Sequence, residues 1–228
     1  MIADLEPSTI VNIGDDVDCY TISSFDKDPR RLHSLQDEIN NTRAHLHKVS
    51  QLAPEANKYW LEGNHEDRFR RLIWRLPGAA VQLAALDVFQ QAMTWPSLVR
   101  TEEIGWDFIT TSAQSKKDIL PKLIVKHGTQ LARYSGGTAQ LEWKKYGKSG
   151  LSGHSHRLGS FFHRDHNGNH VWQETGCLCK LDAEYETDPD WQQGLVVVEH
   201  TADGSRFGLY PVYFQGGKAI YQKVLYSA

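Results

Sequence analysis

Cysteine is scarce in this sequence: Cys19, Cys177 and Cys179 are the only three. They are too few and too poorly spaced for a disulfide framework or a zinc knuckle. Cys177 and Cys179 form C-x-C in a strand-like stretch and read as buried or half-buried thiols rather than as ligands or a redox pair. Long apolar runs are also missing, and nothing approaches the ~20 residues a membrane span needs. The opening MIADLEPSTI has neither a basic start nor an apolar core, which argues against a signal peptide and gives the Asn40-Asn41-Thr42 sequon no consequence. A cytoplasmic location with no membrane partner is the expectation. A one-sided charge is absent too: 25 Lys and Arg face 28 Asp and Glu, a net of -3. Nucleic acid or a membrane surface is therefore not favoured in general, and an anionic substrate has to be drawn in locally, by metal ions or clustered arginines.

What is present suffices for a real core, with 228 residues of which 40% are hydrophobic. The run STIVNI (8 to 13) reads as a buried strand ending at Gly14. A helix is expected from about Arg30 to Leu52, with Leu32, Leu35, Ile39, Leu46, Val49 and Leu52 at helical spacing and His33, His45 and His47 on polar faces. KYWLEG (58 to 63) is a second strand, and EDRFRRLIWRL a helix with Phe69, Leu72, Ile73 and Leu76 on one face. A further helix is expected from about Ala79 to Gln91, then a loop and short strand through TWPSLVRTEEIGWDF. PKLIVKHG (121 to 128) is a strand, a helix spans Thr138 to Tyr146, and strands dominate from 158 onward. Repeats and linker-like segments are lacking, so residues 1–228 read as a single α/β domain with helices outside the sheets.

The polar residues fall in an informative pattern. Asp15, Asn64-His65, His127 and His154/His156 each lie at or just past the end of an expected strand, each with a glycine: Gly14, Gly63, Gly128 and Gly153. Ligands bind at the carboxyl ends of parallel strands in open α/β sheets. Taken singly, these signals are ordinary. Asp15 could be a turn acid, GNHED a helix start capped by Asn64, and His127 a strand-end histidine. His154 and His156 would project to one side if the backbone stayed extended.

Taken in order, GDDVD, GNHED, KHG and GHSH (residues 14 to 156) resemble motifs two to five of the calcineurin-like metallophosphoesterases. GNHE opening an arginine-rich helix, and GHSH followed by strands, are similar to phage-type members. The resemblance implies a sandwich of two mixed β-sheets flanked by α-helices, and two divalent ions drawn from Mn, Fe, Zn or Ni. It further implies that Asp15 bridges the ions, that Asn64, His127 and His154 complete one shell, and that His156 binds the other ion. His65 would protonate the leaving oxygen or stabilise its charge, with Asp18 and Glu66 orienting these groups. The implied reaction is hydrolysis of a phosphomonoester or phosphodiester, a nucleotide being one candidate, by attack of a metal-bridging hydroxide.

The family's first motif, Asp-x-His, has no counterpart before Gly14. Either a strand upstream of Met1 has been lost, the favoured reading, or the ion at His156 is weak or absent. Arg68, Arg71 and Arg75 are candidates to reach substrate phosphate, Arg68 first, against a reading as a solvated helix face. Trp95, Trp106 and Trp143 read as core or interface residues before they read as a base-binding pocket. The alternatives are a DNA nuclease of the same superfamily and a catalytically weakened structural or binding relative.

Overall fold

The computed structural model describes residues 1–110, 115–182 and 188–227. The fold is α/β, and the chain divides into two units, Met1–Ser115 and Lys116–Ala228.

In the first unit a single turn, α1 (Ile2–Leu5), precedes β1 (Thr9–Asn12). Strand β1 pairs in parallel with β2 (Asn57–Leu61), and β2 with β3 (Asp107–Ile109), so β2 is central and the apolar run of β1 lies at the sheet edge. Between β1 and β2 runs α2 (Leu35–Leu52). It begins later than Arg30 because Ser34 and Asp37 form a reciprocal capping box there, which leaves Leu32 outside the helix and 88% exposed. Helix α3 (Glu66–Trp74) follows β2. The single helix expected over residues 79 to 91 is two, α4 (Ala79–Ala84) and α5 (Asp87–Ala92), because Leu86 is extended between them. The segment expected to begin as loop contains α6 (Trp95–Val99), started by a Thr94 cap with proline in the first turn.

Trp60 is fully buried, with Phe108 edge-on at 4.8 Å and Trp95 at 6.4 Å. Trp95 also meets Phe69 at 5.3 Å, and Trp106 donates its indole N–H to Leu46 O and Ser50 Oγ. Trp95 and Trp106 are thus core residues, as the sequence favoured. Truncating any such aromatic costs about 3–5 kcal/mol.

In the second unit a mixed sheet has the order β4-β5-β6-β8-β7. Its strands are β4 (Lys116–Leu120), β5 (Leu123–Lys126), β6 (Ser149–Ser152), β7 (Leu158–Asp165) and β8 (Gly168–Thr175). β5, β6 and β8 run parallel, while β4 and β7 are antiparallel to their neighbours. Helix α7 (Gly137–Tyr146) lies over this sheet, with Ala139 against Ile124 and Trp172. Trp143 is only partly buried and stacks near His163, ring centroids 3.9 Å apart. Two antiparallel pairs follow: β9 (Gly194–His200) with β10 (Phe207–Tyr213), and β11 (Lys218–Tyr221) with β12 (Val224–Ser227). KAIYQKVLY is therefore a hairpin, turned by Gln222 and Lys223 at φ 48° and 67°.

One polar contact crosses the interior of this unit. Lys126, in the otherwise apolar β5, is fully buried and donates to the equally buried Glu142 of α7 at 2.9 Å. Removing one partner strands a charge without water. Glu142→Ala is expected to destabilise the protein by about 3–5 kcal/mol in urea unfolding, whereas Lys116→Ala, at an exposed position, is expected to leave the midpoint unchanged.

Candidate functional site

Each unit brings two of the sequence-singled loops together by the same device. In the first, β1 and β2 are parallel neighbours with Asn12 opposite Trp60, so Asp15 and Asn64 both follow adjacent carboxyl strand ends. The loops touch backbone to backbone. Gly14 has φ +94°, and a Cβ on it would stand 2.7 Å from Gly63 N, so no side chain fits.

Glu66 fixes both loops. Its fully buried carboxylate accepts N–H groups from Asp15 (2.9 Å) and Gly63 (2.8 Å) at Oε2, and from Asp16 (2.8 Å) and Val17 (3.2 Å) at Oε1. Four donors on one carboxylate offset the cost of burying it. Asp15 is thereby held at φ 60°, a left-handed conformation for a non-glycine residue. Its Oδ1 accepts the backbone N–H of His65 at 2.9 Å.

The His65 ring is held between two carboxylates, Nδ1 being 3.3 Å from Asp18 Oδ1 and Nε2 3.9 Å from Asp15 Oδ2. Asp18 also pairs with Arg31 at 2.6 Å, and Arg68 donates to the Asp18 carbonyl at 2.7 Å. The His65 hydrogen bond, joined by Arg31, holds the Asp18 carboxyl below the usual carboxylate range. Of Arg68, Arg71 and Arg75, Arg68 stands beside the Asp18–His65 pair. Arg71 binds Asp67, and Arg75 is exposed. His33, His45 and His47 are exposed, as their polar faces suggested.

In the second unit β5 and β6 are parallel neighbours with Lys126 opposite Ser152, and His127 and His154 follow their carboxyl ends. The two rings stand edge to face at 64°, centroids 5.2 Å apart, with a nitrogen of each within 4.8 Å of the other. Gly128, at φ +116°, again permits the approach, because a Cβ there would lie 2.9 Å from His154 Cβ.

Buried glutamates again secure the loops. Glu142 Oε1 accepts from Thr129 N at 3.0 Å, just past His127, and from Gln130 N at 3.3 Å. Glu174 Oε2 accepts from Ser155 Oγ at 2.7 Å, between the two histidines, while its Oε1 accepts from Gly136 N and Ala139 N. Neither Glu142 nor Glu174 belongs to a motif recognisable in the sequence. The one available signal was a charge standing in helix and strand segments that otherwise face the core.

His154 and His156 are not equivalent. The backbone does not stay extended past β6: both residues are left-handed, at φ 66° and 57°. His154 faces His127, whereas the His156 ring lies edge-on to Trp191 at 4.4 Å. Donor atoms of His156, Cys177 and Cys179 lie within 4.8 Å of one another. Cys177 is half-buried and Cys179 exposed. A hydrogen bond with Cys179, and burial, push the Cys177 thiol pKa well up.

The donor set at His127 and His154 fits a divalent ion of intermediate hardness: two imidazoles at chelating separation, on loops already fixed. No family model matches the chain, and no curated relative matches its sequence. Among solved structures it is similar to a single mutant of Vps29 from Entamoeba histolytica, at 14% identity and a TM-score of 0.39, over 95% of this chain and 98% of that one.

Two outcomes follow from the first unit. Glu66→Ala orphans four backbone donors at about 1–3 kcal/mol each when buried, so urea unfolding is expected to show a loss of at least ~3 kcal/mol. Asp18 has a lowered folded pKa, so its contribution is present above the ordinary carboxylate pKa and lost as pH falls through the folded value. Asp18→Asn is accordingly expected to be less stable than the parent at neutral pH, with the difference closing in acid, as unfolding midpoints at the two pH values would show.

Proposed function

We propose that this protein is a metal-dependent phosphoesterase that hydrolyses phosphomonoesters or phosphodiesters. The observation carrying the reading is the His127–His154 pair, two imidazoles at chelating distance on glutamate-locked loops after adjacent parallel strands. In the proposed assignment, which follows the motif resemblance, Asp15 would be the carboxylate shared by the ions. Asn64, His127 and His154 would hold one ion, and His156 would bind a second. Mn, Fe, Zn and Ni suit an amide oxygen, carboxylate and imidazole set. Such ions, when bound, supply charge neutralisation at the phosphoryl oxygens and an acidified water.

The chain's own residues supply the rest. Asp18 fixes the His65 tautomer by drawing a proton onto Nδ1, and the Asp15–His65 backbone hydrogen bond fixes the loop beneath the ring. The Nε2 face then delivers a proton to the departing alkoxide when the ring is charged. Arg68, anchored on the Asp18 carbonyl, puts positive charge beside that ring and is the arginine proposed to meet substrate phosphate.

The test is turnover of p-nitrophenyl phosphate and bis-p-nitrophenyl phosphate with added Mn. Activity is expected to vanish on chelation and return with the metal. Asp15→Asn and His65→Ala are each expected to lower kcat/KM by about 10²-fold or more. Activity indifferent to Asp15→Asn would overturn the assignment.

A further inference from the structure

A second donor set lies wholly within the second unit, and its chemistry differs from the first. His156, Cys177 and Cys179 offer one nitrogen and two sulfurs, all mutually within 4.8 Å. Three ligands around a tetrahedral zinc, at about 2.0–2.3 Å from the metal, stand roughly 3.5–3.8 Å apart. Closure therefore needs at most about an ångström, and Cys179, being exposed, can supply it by rotating its side chain.

The backbone around the three donors is held in place. Segment 192–194 is the common anchor: Gln192 N donates to His156 O at 2.9 Å, Cys177 N to Gln192 O at 3.0 Å, and Gly194 N to Cys177 O at 2.9 Å. Gln193 Nε2 donates to the Cys179 carbonyl at 2.7 Å, and Gly176 N to Arg157 O at 2.8 Å. The Trp191 ring packs against the imidazole, nearly perpendicular to it with centroids 4.4 Å apart. The backbone at His156 is left-handed, a conformation that persists only where its surroundings impose it.

We propose that His156, Cys177 and Cys179 form a thiolate site for a borderline-soft divalent ion of the zinc class, with a fourth position left to water or substrate. Binding deprotonates both thiols and releases the two protons to solvent. Two sulfurs select against manganese and magnesium, so this site prefers a different metal from the one at His127 and His154. The assignment stands on the second unit alone and holds whether or not the chain hydrolyses phosphoesters.

The experiment is a titration of the reduced 228-residue chain with Co²⁺ in the absence of oxygen. The expected result is a thiolate-to-cobalt charge-transfer band that saturates at one ion per chain and is displaced by Zn²⁺. The band should be lost in Cys177→Ser and in Cys179→Ser. It should survive in His127→Ala, the variant that abolishes hydrolysis if the phosphoesterase reading holds. A parallel measurement needs no variant: zinc should shield Cys177 and Cys179 together from alkylation by iodoacetamide, read by peptide mass spectrometry. Absence of the band in folded protein, its persistence without the two cysteines, or alkylation of either thiol in saturating zinc would overturn the proposal.

Discussion

Three glutamates with no exposed surface, Glu66, Glu142 and Glu174, hold the loops that carry Asp15, Asn64, His127 and His154. A carboxylate away from water is costly unless donors surround it, and here the donors are the loops' own N–H groups, a serine hydroxyl and, for Glu142, a lysine. The requirement runs both ways. The carboxylates cannot stay buried without the loops in place, and the loops cannot keep their unusual backbone without the carboxylates. Asp15, His154 and His156 are all left-handed, a conformation that lapses in a free loop. A set of side chains fixed before an ion arrives loses little entropy on binding it.

Close approach of adjacent loops is the second half of the device. Gly14 against Gly63, and Gly128 against His154, let neighbouring strand ends touch at the backbone, where any Cβ would collide. The parallel pairs β1/β2 and β5/β6 then set two candidate ligands side by side in each unit. Hardness separates the two donor sets of the second unit. Imidazoles alone at His127 and His154 suit ions that also accept oxygen ligands, whereas the sulfurs beside His156 suit softer ones.

The sequence made the ligand loops legible because glycine beside an acid, amide or histidine at a strand end is a compact local signal. Glu66 was readable for the same reason, lying two residues past Asn64. Glu142 and Glu174 were not: a glutamate in a helix or strand reads as solvated until the opposite element is known. The C-x-C pair was visible, yet what it faces is set by segment 192–194, which no local pattern ties to His156. Helix α6 was legible in principle, through Thr94 and Pro96, but aromatic residues around it masked the signal. The division of the 79 to 91 helix at Leu86 leaves no proline or glycine to mark it.

The central claim is that ions bind to loops that are already in place. Its most direct test is anomalous diffraction from crystals grown with manganese, set beside metal-free crystals of the same form. The account predicts a manganese peak at bonding distance from His127 and His154, with the backbone at Asp15–Val17, Gly63, Thr129 and Ser155 unchanged and the three glutamates still buried. A peak that avoids both histidines, or loops that rearrange to reach the ion, would contradict it.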